Sequence, residues 1–144
     1  MYDSILVATD GSDAASTAVE HAIELARRLE VPLYAIVVLD SRTEYDNAIV
    51  DPAEVDRRRR DQASSWLEGI EATARDEDLD VETTIRSGVP DEEIRAYADE
   101  VAVGAIVLGA QGRSSFRRAL LGSTADRVVR LADQPVVVVD AGNE

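Results

Sequence analysis

Two rhythms of apolar residues alternate along the chain. Short, nearly unbroken apolar runs are followed by longer stretches in which apolar positions recur at helical spacing. Residues 2–9 close on Ile5, Leu6, Val7 and Ala8 before Asp10 and Gly11, which predicts a buried strand ended by a turn. Residues 12–30 place Ala15, Ala18, Val19, Ala22, Ala26 and Leu29 on one side of a helix, with Ser12 as its N-cap. Pro32 ends that helix, and residues 33–39 form a second apolar strand. The polar, aperiodic stretch 40–50 predicts a loop.

Asp51, Pro52 and Glu54 stand where an N-cap, a first helical residue and a capping-box partner belong. The long helix they open has its stripe at Val55, Ala63, Trp66, Ile70 and Ala74. A third strand is expected over 81–86. A short helix after Gly88 and Pro90 presents Ile94, Tyr97, Ala98 and Val101. A fourth strand spans 104–108, a last helix spans 123–131 with Ala125, Val128, Val129 and Ala132 inward, and Val136–Val139 forms the fifth strand. Five strands alternating with four helices predict a single α/β domain over residues 1–144, a parallel sheet covered on both faces. Ligands of such sheets bind beyond the carboxyl ends of the strands, where strand order reverses, so the loops at Asp10 and Gly109 mark the expected site if their strands are neighbours.

Composition narrows the chemistry. Without cysteine, thiolate catalysis, disulfides and Cys-ligated metals are excluded, and the single His21 has no histidine partner for a metal. All 15 basic residues are arginine, so a Walker-type phosphate loop and a pyridoxal Schiff base are excluded too. A net charge of −14 disfavours nucleic acid and anionic membranes. With neither a basic leader nor a membrane-length apolar run, the expectation is a soluble, cytoplasmic protein. The acidic, lysine-free composition points to a halophilic source, where molar salt screens the repulsion.

The segment from Gly109 to Thr124 carries the most information. Gly109 and Gly112 follow a buried strand, and Gly122, Ser123 and Thr124 open a helix whose free amides and dipole attract an anion. Read singly, these features have structural explanations: Ser123 with Asp126 fits a capping box, and Asp10 fits an Asx-turn. Glu54–Arg58 and Asp56–Arg60 pair at i,i+4, which makes Arg57 to Arg60 a solvated ion-pair face. Arg113, Arg117 and Arg118 fit phosphate neutralisation and local charge balance equally well. His21 reads as a surface or packing residue, and Trp66 and Phe116 are too scattered for a base-stacking platform.

The spacing Gly109-x2-Gly112-x9-Gly122-Ser123 resembles the G-2x-G-9x-G-S/T signature of the ATP-binding branch of the universal stress protein family. The opening segment from Ile5 to Ser12 and the closing one through Leu120, Leu121, Arg130, Pro135 and Val139 resemble that family as well. Ser115 departs from it, standing where a glycine is frequent. The resemblance implies a Rossmann-like, adenine-nucleotide α-hydrolase-like domain with strand order 3-2-1-4-5. It implies that Ala8, Thr9 and Asp10 face the nucleoside and that the Val38 backbone meets the adenine edge. Gly109, Gly112, Gly122, Ser123 and Thr124 would hold the phosphates of ATP, ADP or AMP, with Arg113 beside them and Mg²⁺ or Mn²⁺ bridging. It also implies a homodimer through Val136–Val139 and a regulatory, stress-response role. A slow ATPase or a related nucleotide hydrolase, and a nucleotide-free scaffold dimer, are the competing readings. Thr9-Asp10-Gly11-Ser12 lacks the Ser-Gly-Gly-x-Asp-Ser loop of pyrophosphatase relatives, and a phospho-receiver lacks its lysine here.

Overall fold

A computed structural model describes residues 2–42, 51–111 and 121–141. The strands are β1 (Ile5–Ala8), β2 (Leu33–Asp40), β3 (Val81–Gly88), β4 (Ala105–Gly109) and β5 (Val136–Val139). The helices are α1 (Asp13–Leu29), α2 (Pro52–Asp76), α3 (Pro90–Glu100) and α4 (Ser123–Leu131). All neighbouring strands pair in parallel, as the sequence pattern predicts, and in the order β3-β2-β1-β4-β5 that the resemblance implies. The order reverses between β1 and β4.

Strand parity divides the core. Odd positions, among them Ile5, Val7, Leu33, Ala35, Val37 and Val107, pack with Ala18, Ala22, Ala26, Ala63, Leu67 and Ile70 of α1 and α2. Even positions, Leu6, Ile36, Ile106 and Leu108, pack with Ile94, Tyr97, Ala98, Ala125 and Val128 of α3 and α4. Side chains alternate across a strand, so each unbroken apolar run serves both layers at once.

Helix ends follow the local signals, with exceptions. Ser12 caps α1 by accepting from the Ala15 N–H at 3.2 Å, and Asp51 caps α2 by accepting from Ala53 N–H at 3.0 Å. Glu54 does not close a capping box. Its carboxylate takes Arg57 and Arg58 instead, at i+3 and i+4 on the same helix. Leu29 and Val129, expected inward, are 41% and 46% exposed, and Ile23 and Leu67 are buried in the α1–α2 layer. Leu29 ends α1 next to Glu30 in the left-handed conformation, where the chain has turned away from the sheet. No described helix is long and apolar enough to cross a membrane.

Candidate functional site

The carboxyl ends of β1, β2 and β4 and the amino ends of α3 and α4 surround a cleft of about 390 Å³. Eight of the ten residues assigned from sequence line it: Ala8, Thr9, Asp10, Val38, Gly109, Gly122, Ser123 and Thr124. Gly112 and Arg113 lie outside the described residues, as do Arg117 and Arg118.

Its floor is the turn after β1. The Gly11 N–H donates to Thr9 Oγ1 at 3.2 Å and the Ser12 N–H donates to Asp10 Oδ1 at 3.0 Å. Asp10 is thus an Asx-turn residue and a cleft residue together; one carboxylate oxygen fixes the turn while the side chain lines the cavity.

One wall comes from β4 and α4. The Ala110 N–H donates to the Val139 carbonyl at 2.8 Å, and the Gly122 N–H donates to the Ala110 carbonyl at 2.7 Å. These bonds pin the start of α4 beside the end of β4. Gly122, not Ser123, is the N-cap, and no side-chain hydrogen bond caps the helix among the described residues. The capping box expected from Ser123 and Asp126 does not form: Ser123 is already inside the first turn, and Asp126 pairs with Arg130 at 3.2 Å. Among the described residues no acceptor reaches the N–H groups of Ser123, Thr124 and Ala125, all of which border the cleft. Gly109 has a steric cause as well. A Cβ there would lie 2.8 Å from the Ala14 carbonyl carbon and 2.9 Å from Ala15 N, so its bare backbone lets α1 close on the sheet.

The opposite wall is built by β2 and α2. Along β2, Leu33 N–H and Ser41 N–H donate toward β3, and the Ile36 carbonyl accepts from Thr9 N–H at 3.0 Å on the β1 side. Backbone direction alternates along a strand, so Val38 also faces the β1 side, where β1 has ended. Among the described residues no backbone group takes up its N–H and C=O. The next carbonyl facing that way, at Asp40, accepts from Arg59 Nη2 at 3.3 Å. The Asp40 carboxylate takes Arg42 Nε and Nη2, each at 3.0 Å, and this hydrogen-bonded guanidinium holds the acid below its ordinary value against the opposing effect of burial.

Apart from Val38, sequence reasoning missed this second wall. Asp40 and Arg42 fell in a predicted loop, Arg59 in a solvated ion-pair face and Trp66 in the core stripe. Arg59, Gln62 and Trp66 stand at i, i+3 and i+7 on α2, and all three line the cleft. The Trp66 ring lies on Gly11, where an added Cβ would meet ring carbon Cζ2 at 2.2 Å. The helical spacing was a usable signal; where the cleft cuts across the helix was not. The predicted ion pairs Glu54–Arg58 and Asp56–Arg60 do form, each at 3.0 Å, and His21 is exposed on α1. Among the described residues no three His, Cys, Asp or Glu side chains gather as metal ligands.

The family model described as "Universal stress protein family" matches residues 1–140. The chain belongs to the universal stress protein family. A universal stress protein of Methanocaldococcus jannaschii is 32% identical over 144 residues, covering 96% of this chain and 82% of that protein. Among solved structures, universal stress protein UspA from Lactobacillus plantarum superposes with a TM-score of 0.86 at 32% identity, covering 96% and 97% of the two chains. A universal stress protein from Archaeoglobus fulgidus, solved in complex with dAMP, has a TM-score of 0.67 at 28% identity over 96% of this chain and 98% of its own. This universal stress protein therefore shares its fold with a relative that holds an adenine nucleotide.

Proposed function

We propose that this universal stress protein binds ATP in the cleft and acts as a nucleotide-responsive homodimeric module. The observation that carries the reading is one cleft with two complementary ends. At one end stand the N–H and C=O of Val38 and at the other the amino terminus of α4, neither of which has a partner among the described residues. A donor beside an acceptor matches the adenine edge, and free helix amides match phosphate without a lysine.

Asp10 is the carboxylate beside Ala8 and Thr9 that meets the ribose. Gly109, Gly122, Ser123 and Thr124 hold the phosphates, joined in the family pattern by Gly112 and Arg113. Mg²⁺ or Mn²⁺ would reach the site on the nucleotide, supplying charge neutralisation to the phosphates. Asp10 accepts from the Ser12 N–H, and among the described residues no better-placed general base stands at the phosphate end, so hydrolysis would be slow.

Titration calorimetry of Mg-ATP into the protein in molar salt tests the reading, with GTP and Gly122→Val as controls. Micromolar, ATP-selective binding lost in Gly122→Val is the expected result. No heat from folded, nucleotide-free protein would favour the scaffold-dimer alternative.

The dimer is proposed to form through β5, an edge strand on which Val137 is 40% exposed. Val137→Arg should leave a monomer by sedimentation, and a wild-type monomer at all concentrations overturns this part. The halophilic reading predicts unfolding at lower denaturant when molar salt is removed. A midpoint indifferent to salt counts against it.

A further inference from the structure

The Val38 backbone does not by itself explain a preference for adenine. Its N–H and C=O pair with adenine N1 and the 6-amino group, but equally with guanine O6 and N1–H if the base is turned end for end. The two bases differ in what comes next along the strand. Past the 6-amino group of adenine lies N7, an acceptor. Past N1–H of guanine lies the 2-amino group, a donor.

Asp40 is the next residue of β2 that faces this side; its N–H, a donor, follows the Val38 carbonyl, and its acceptors are already engaged. Arg59 Nη2 donates to its carbonyl at 3.3 Å. Arg42 donates to its carboxylate from Nε and Nη2 at 3.0 Å and from its own backbone N–H at 2.9 Å. A carboxylate left open here would be the natural partner of guanine's N1–H and 2-amino group. Two guanidinium groups stand there instead, both bordering the cleft.

We infer that Arg59 and Arg42 set the base preference of the cleft: by drawing both acceptors of Asp40 toward themselves, they leave donors at the end of β2, which suit N7 of adenine and oppose the 2-amino group of guanine. The inference rests on the nucleotide reading above, and it makes these arginines specificity residues of the base end, remote in role from the phosphate end at α4.

Inosine triphosphate isolates the group in question, because it is GTP without the 2-amino group. Titrations of the full chain with Mg-ATP, Mg-ITP and Mg-GTP should give affinities in that order for the wild type. In Arg59→Met and in Arg42→Met the advantage of ITP over GTP should shrink by about tenfold, as a freed acceptor takes the amino group. Arg59→Lys, which keeps a charged donor at the carbonyl, should retain most of it. Circular dichroism checks that each variant is folded, and if one is not, the wild-type ITP-to-GTP ratio and the other variant still decide. A wild type that binds ATP but holds ITP and GTP equally overturns the inference alone, and so do folded variants that keep the wild-type gap. A wild type that binds none of the three overturns the nucleotide reading and this inference with it.

Discussion

The two walls of the cleft are made of different material. The β4–α4 wall is backbone: Gly109 without a Cβ, Ala110 bonded to Gly122 and to Val139, and helix amides at Ser123 to Ala125. The β2–α2 wall adds side chains to the backbone of Val38 and Asp40: Arg42 and Arg59 on Asp40, Gln62, and Trp66 on Gly11. A wall of backbone is defined by atoms that are missing, so any addition must displace something that cannot move. Long side chains can swing aside and exchange partners. The first wall suits a group common to many ligands, such as phosphate, and the second suits discrimination among them.

Substitutions should expose the contrast in stability. Gly109→Ala sets a methyl against the Ala14 and Ala15 backbone at 2.8–2.9 Å, and we expect a loss of about 1–3 kcal/mol in urea unfolding. Gly11→Ala combines a φ of 80° with a clash against the Trp66 ring; the ring is half-buried and can yield, leaving mainly the left-handed strain of about 1–2 kcal/mol. Ser12→Ala removes the cap that starts α1 beneath the backbone wall, a loss of about 1 kcal/mol in the same measurement.

The smallest effect belongs to the side-chain wall. Arg42 holds the Asp40 carboxyl below its ordinary value of 3.8, so the pair stabilises the fold above that value and the contribution fades as pH falls through the lower folded-state value. The Arg42 side chain is 51% exposed, so solvent screening limits the contribution to under about 1 kcal/mol. Unfolding of Arg42→Ala and wild type should differ slightly at neutral pH and converge in acid. A difference that grew in acid would mean that the pair is not what joins these residues. Equal losses from Gly109→Ala and Arg42→Ala would dissolve the distinction between the walls.

The same distinction explains what could be read in the sequence. Strands and helices were legible because parity along β1, β2 and β4 and the alanine spacing of α1 are local patterns. The backbone wall was legible because a missing side chain leaves a glycine at a fixed spacing. Arg59 carries no such mark. It stands among four successive arginines, and only the tertiary approach of α2 to the end of β2 turns it toward Asp40 while Arg57 and Arg58 pair with Glu54. Ser123 and Asp126 had the right spacing for a cap, but Gly122, held by its bond to Ala110, is the N-cap, so the helix starts one residue earlier than that pattern requires.

The chain contains one tryptophan, and it is Trp66. Its indole sits on the turn after β1 and borders the cleft, so all tryptophan emission from this molecule originates at the side-chain wall. Filling of the cleft, or displacement of α2 from Gly11, would register in an unlabelled sample as a change in intensity or wavelength.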